Sequence, residues 1–244
     1  MPEIRIKMLE VDLTSRETQV RDVTDDVKKY LGGRGLGTKL CWDLVSQGAD
    51  SLGSENILHI GVGPVTDLMG TKTIMSFKSP QTSWKGRSTM SGYLGREIVN
   101  AGYKAGILIR GVADTPVYLY VWNDDVQIRD ATGLWGSWGQ KTEYELRKTL
   151  KEETGECFDV ARIGPAGENL VRYACINSEW MHTAAKWGCG VVMGSKKLKA
   201  VAVRGTKGPE YADNQKVWEI FQNYLENQAT AVQRYSHAAS EPQV

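Results

Sequence analysis

The chain has 244 residues, enough for one large domain or two of moderate size. A hydrophobic share of 41%, a charged share of 24% and a net charge of +1 are ordinary for a soluble globular protein, and they give no bulk electrostatic case for nucleic acid or a membrane surface as partner. No apolar run approaches the roughly 18 residues of a bilayer span, and Met1-Pro2-Glu3-Ile4-Arg5 lacks the apolar segment of a secretory signal, so the expected location is cytoplasmic.

Residues 4–13 alternate in part, and residues 18–23 follow as an antiparallel partner. Thr24 reads as an N-cap for a short helix over 25–31, with Asp25 and Asp26 in the first turn and Gly32 as its stop. A second helix is predicted over 37–45. The intervening Gly33-Arg34-Gly35-Leu36-Gly37 is a poor dinucleotide fingerprint, because its spacing is G-x-G-x-G and a helix precedes it where a strand is required. Strands are expected at 57–61, 71–77 and 105–110, with a helix over 95–101 between the last two.

Residues 117–122 and 126–128 form a hairpin about Asn123-Asp124. Thr142-Glu143-Tyr144-Glu145 reads as a capping box that opens a helix ending near Glu153, before Gly155. Further strands are predicted at 160–163, 172–176 and 198–203. Val217, Ile220, Phe221, Tyr224 and Leu225 then mark an amphipathic helix, followed by a polar tail without evident structure. Short strands, few helices and no βαβ alternation give an α+β class with two largely antiparallel or mixed sheets.

The order of segments repeats. One unit opens on Ile57-Leu58-His59-Ile60-Gly61-Val62-Gly63-Pro64 and closes on Lys104-Ala105-Gly106-Ile107-Leu108-Ile109-Arg110-Gly111. The other opens on Val160-Ala161-Arg162-Ile163-Gly164-Pro165 and closes on Lys199-Ala200-Val201-Ala202-Val203-Arg204-Gly205. This pattern predicts an internal duplication, with units of about 1–112 and 113–209 related by a pseudo-two-fold axis, and with residues 210–244 leading toward a further domain. Each unit carries a glycine-dense loop able to hold an anion, so the pair suits a ligand that is itself nearly two-fold symmetric.

Cys41, Cys157, Cys175 and Cys189 are widely spaced and read as free thiols, since zinc and iron–sulfur sites need closer ligands. Among the histidines, His59 lies in an apolar run, His237 in the tail, and His182 alone stands near a glycine loop.

Several segments carry a specific resemblance. Leu31-Gly32-Gly33-Arg34-Gly35-Leu36-Gly37, Gly63-Pro64-Val65-Thr66, Lys78-Ser79-Pro80, Gly92-Tyr93-Leu94-Gly95, Gly164-Pro165-Ala166-Gly167-Glu168-Asn169 and Met193-Gly194-Ser195-Lys196-Lys197-Leu198-Lys199-Ala200 occur in this order. Together they resemble the N-terminal domain of the tungsten-dependent aldehyde ferredoxin oxidoreductases, over nearly everything from Ile4 to about Gln222. The resemblance implies two mixed sheets forming a base for a tungsten or molybdenum bis-molybdopterin, with a magnesium ion bridging the pterin phosphates.

It also implies a site. Lys72 stands where the family has a pterin-binding arginine, keeping charge without the bidentate fork. Thr89-Met90-Ser91-Gly92, with Gly95, stands for the first phosphate loop, and Thr183-Ala184-Ala185-Lys186-Trp187-Gly188 for the second. The backbone carbonyls of Thr89 and Ala184 are the expected magnesium ligands, and Lys186, Lys72 and Arg87 the expected phosphate cations.

The family's later domains carry a [4Fe–4S] cluster and the acid/base groups. Here those are expected in a missing domain or a partner subunit, which leaves this chain an incomplete enzyme and its catalytic residues unknown. The implied activity is low-potential oxidation of aldehydes to carboxylic acids, with a ferredoxin-type acceptor. The alternative is a non-catalytic pterin-binding, assembly or structural subunit of a redox complex. Substrate, choice of metal and any homo-oligomer stay open.

Overall fold

The computed structural model describes residues 4–68 and 72–240, with the side chains of 229–240 left aside. The body spans Arg5–Pro209. Its elements in chain order are β1 (Lys7–Asp12), β2 (Glu17–Asp22), α1 (Thr24–Tyr30), α2 (Gly33–Leu44), β3 (Leu58–Gly61), β4 (Thr73–Lys78), β5 (Lys85–Met90), α3 (Leu94–Asn100) and β6 (Ile107–Arg110). The second half adds β7 (Val117–Trp122), β8 (Asp125–Asp130), α4 (Gly139–Thr154), β9 (Asp159–Arg162), α5 (Pro165–Glu168), β10 (Ile176–Ser178), β11 (His182–Ala184), α6 (Cys189–Ser195) and β12 (Leu198–Arg204).

The two halves have one topology. The first sheet runs β2-β1-β6-β3-β4-β5 and the second β8-β7-β12-β9-β10-β11, so every strand of one has its counterpart six strands later. The pairing repeats too. β1 with β6 and β7 with β12 are parallel, and every other neighbouring pair is antiparallel. The fold is α+β with two mixed, duplicated sheets.

Alternation along the strands sends their side chains to two different layers. Leu9, Val11, Ile60, Phe77 and Ile109 of the first sheet share one core with Leu119, Val121, Ile163, Val201 and Val203 of the second. The outer face of the first sheet (Met8, Ile57, Leu108) packs on Leu36 and Leu40 of α2. The outer face of the second (Tyr118, Tyr120, Val160) packs on Leu146 and Leu150 of α4.

Two further helices cross over. α3 of the first unit lies against β9 and β12, and α6 of the second lies against β3, β4 and β5. Glu97 of α3 accepts the Gly205 N–H at 2.8 Å and pairs with Arg204 at 3.3 Å. This exchange packs the two units against each other.

Local expectations needed adjustment at several places. α2 begins at Gly33, so the glycine run lies inside its first turns. Thr24 is the first residue of α1, with Val23 at the cap position, and its hydroxyl donates to Asp22 Oδ1 at 2.6 Å. α4 begins at Gly139, and the Thr142 hydroxyl donates back to the Trp138 carbonyl at 3.2 Å, so no capping box forms. The strand expected at 172–176 is β10, shifted to Ile176–Ser178, and β5 was not anticipated. Residue 71 of the strand expected at 71–77 lies outside the described residues, as do residues 1–3 and 241–244.

Residues from 210 onward fall in a separate compact unit. Their helix α7 (Asn214–Ser240) continues through most of the region expected as an unstructured tail. Asp213 caps it, accepting the Lys216 N–H at 2.9 Å. No helix among the described residues is long and apolar enough to cross a membrane.

Candidate functional site

Each unit reaches its glycine loop by the same route, from an edge strand through a tight turn into a short helix. β5 leads through Ser91-Gly92-Tyr93 into α3, and β11 leads through residues 185–188 into α6. The edge strands β5 and β11 lie against each other, so the loops meet. The Lys186 N–H donates to Ser88 Oγ at 3.0 Å. The Ser79 hydroxyl donates to the Trp187 carbonyl at 2.9 Å, and the Arg172 guanidinium to the Pro80 carbonyl at 3.3 Å. The Tyr93 N–H donates to the carboxylate of Glu179 in the β10–β11 turn.

Two glycines are required by this convergence. At Gly92 (φ +104°) a Cβ would stand 2.5 Å from Glu179 Oε1. At Gly188 (φ +76°) it would stand 2.3 Å from the Arg172 carbonyl oxygen. Both backbones sit where L side chains are strained and where no space exists for one.

The sequence-predicted residues divide into three groups. Lys72, Thr89, Thr183, Ala185 and Lys186 are exposed. The Lys72 ammonium donates to Ser91 Oγ at 2.6 Å, which ties it to the first loop. Met90, Gly92, Gly95, Ala184 and Gly188 are buried, and Ser91 is half-buried. Gly95 serves packing, because a Cβ there would meet Thr66 Cγ2 and Thr73 Oγ1 at 2.9 Å. The carbonyl of Ala184 is already engaged, accepting the Cys189 thiol at 3.0 Å. Burial pushes that thiol up to about 12, which keeps it neutral and a donor.

The lysines and glutamate of the recognised motifs do different work. Lys196 is fully buried and donates to the carbonyls of Asn56 and Gly111 at 2.5 and 3.0 Å. Burial holds its ammonium down at about 8. Lys199 pairs with Glu168 in the interior and donates to the Ser137 carbonyl at 2.9 Å. Lys199 and Glu168 bind the second unit internally and Lys196 ties it to the first.

Sequence reasoning missed Glu179 and the charged groups behind it. They line a cavity of about 420 Å³ bounded by Tyr93, Glu97, Arg147, Asp159, Glu179 and Trp180. Arg147 bridges Asp159 at 2.7 Å and Glu143 at 3.2 Å, and Glu143 also pairs with Arg162 at 3.0 Å. Burial, and then the Glu179 charge, push Asp159 up to about 7. Only pairing across the chain assembles this network. Tyr93 and Glu179 are 86 residues apart, and nothing local in the sequence marks Glu179.

Comparison with known proteins gives a consistent picture. The aldehyde ferredoxin oxidoreductase N-terminal domain profile matches residues 8–205. The aliphatic sulfonate oxidoreductase WOR-like subunit of Pyrococcus furiosus is 41% identical over 237 residues, covering 89% of this chain and 37% of that protein. The tungsten-containing aldehyde ferredoxin oxidoreductase of Thermococcus kodakarensis is 41% identical over 214 residues, covering 86% of this chain and 35% of its own length. Among solved structures, the active-site complex BamBC of benzoyl coenzyme A reductase with 1,5-dienoyl-CoA contains a chain that superposes with a TM-score of 0.84. Its sequence identity is 38%, and the match covers 91% of this chain and 35% of that one. The chain thus spans about a third of the length of these relatives.

Proposed function

The chain belongs to the aldehyde ferredoxin oxidoreductase family through that family's N-terminal domain, and from this premise we propose that it is the cofactor base of a tungsten or molybdenum bis-pterin oxidoreductase. One observation carries the reading: the two glycine loops of a duplicated fold meet edge to edge, with exposed cations on both. A ligand with two phosphate ends needs two equivalent anion-holding turns at short range.

The residues present fit such a group. Arg87 and Thr89 share the exposed face of β5. Lys72 sits on Ser91, and Lys186 on the second loop is exposed with its backbone N–H already anchored. Lys72 and Lys186 would neutralise the phosphates as point charges and Arg87 through its planar fork, while Gly92 and Gly188 permit the tight packing that brings the two loops together. Thr89 remains the assigned magnesium carbonyl. The Ala184 carbonyl keeps a second lone pair beside the one that accepts the Cys189 thiol, so it stays the proposed second magnesium ligand. When bound, the metallopterin supplies the two-electron redox chemistry, and this chain's residues bind and orient it and set its electrostatic surroundings.

Aldehyde oxidation to a carboxylic acid, with a ferredoxin-type acceptor, is the reaction proposed for the assembled enzyme. Electrons would leave through cluster-bearing domains or a partner subunit, since no group of three or more His, Cys, Asp or Glu able to hold a metal occurs among the described residues. The test is elemental and pterin analysis of the chain, purified without oxygen from cells supplied with tungstate or molybdate. Metal near one per chain with two pterins supports the reading. Pterin without metal supports the alternative of a non-catalytic pterin-binding or assembly subunit, and neither metal nor pterin refutes cofactor binding by this chain.

A further inference from the structure

We propose that Glu179 is a latch that sets the geometry of the opposite unit's glycine loop, and thus a positioning residue for the candidate site. Its carboxylate leaves the β10–β11 turn of the second unit and accepts the Tyr93 N–H at the end of the first unit's loop. Oε1 fills the space where a side chain on Gly92 would stand, and His182 Cδ2 closes the same space at 3.0 Å from that point. Glu179 Oε2 lies 3.6 Å from His182 Nε2. The loop is therefore held by two residues of the other unit, in addition to the Lys72–Ser91 bond.

The latch is itself braced. Glu143 of α4 accepts the neighbouring Trp180 N–H at 3.3 Å and is held by Arg147 and Arg162. The charged groups around Glu179 are His182 on β11, Asp159 on β9, Arg147 on α4, Glu97 on α3 and Arg204 on β12. A hydrogen bond from an amide to a carboxylate is stronger than one to a neutral acceptor, so a glutamate here holds the loop somewhat more firmly than a glutamine would.

This inference deepens the functional reading only in linking the latch to the cofactor loop, and its first readout stands without a cofactor. In protein with ¹⁵N-labelled tyrosine, the Tyr93 amide proton should resonate far downfield. Glu179→Gln should keep an acceptor and part of the downfield position, and Glu179→Ala should abolish it. In Asp159→Asn the downfield position should persist, which separates Glu179 from its buried neighbour. A Tyr93 amide that is the same in wild type and Glu179→Ala overturns the latch.

The second readout is metal retained per chain. It should fall about tenfold in Glu179→Ala and by no more than about twofold in Glu179→Gln. Unchanged retention in the alanine variant, with the amide signature lost, overturns the positioning role. A wild-type chain that retains no metal overturns the functional reading instead, and the Tyr93 amide position in the variants still decides the latch.

Discussion

Four lysines of this chain make an instructive comparison. Lys196 and Lys199, in the motif that carries much of the resemblance, are fully buried and spend their protons on backbone carbonyls and Glu168. Lys72 and Lys186, in the loops, are exposed. The same residue type thus serves two purposes within one fold. Motif identity reports how the units are built, whereas the exposed lysines proposed to hold an anion lie outside the motifs.

Substitutions should separate the two regions sharply. The largest effect is expected at the buried pair. Lys199→Ala or Glu168→Ala leaves an unpaired charge in the interior and should cost about 3–5 kcal/mol in urea unfolding. Gly188→Ala comes next, because it adds a Cβ against the Arg172 carbonyl at a positive φ. A loss of about 1–3 kcal/mol is expected. A loss below roughly 0.5 kcal/mol at either place would mean that the interior relaxes far more than the packing implies.

The next effect is pH-dependent and tests the cavity behind Glu179. Asp159 has an ordinary value of 3.8 and stands at about 7 in the fold, so it favours folding while protonated. That contribution is complete below about pH 4 and is lost as pH rises through 7. His59 runs the other way. Buried, it is held down to about 4 from 6.5, so its contribution is present above 6.5 and lost as pH falls through 4. Asp159→Asn should remove a fall in stability on the order of 2 kcal/mol between pH 5 and 8 and leave the acid-side loss intact. An unchanged profile would argue against a protonated Asp159. The smallest stability effect belongs to Lys72→Glu and Lys186→Glu, each expected within about 0.5 kcal/mol of wild type in the same assay.

Much of the architecture was legible in the chain. The apolar run of Val117–Trp122 and the repeated Lys-Ala-strand-Arg-Gly endings report burial directly, and the apolar stripe of α7 reports its helix, although Ile220 and Leu225 are about half exposed. β5 was hidden because its sequence, Lys85-Gly86-Arg87-Ser88-Thr89-Met90, turns only small side chains and one methionine inward. The start of α4 was misplaced because Thr142 offers the cap signature but spends its hydroxyl on the Trp138 carbonyl. In the site, the glycine loops were legible from composition. Their closure was not, since the groups that clamp them, Glu179 on Tyr93 and Ser88 on Lys186, come from opposite units.

The most direct measurement is the metal and pterin content of Lys186→Glu, purified beside the wild type from cells supplied with tungstate. The account predicts an intact fold by circular dichroism and urea unfolding, with cofactor retention abolished. Undiminished metal and pterin in a folded Lys186→Glu protein would contradict it.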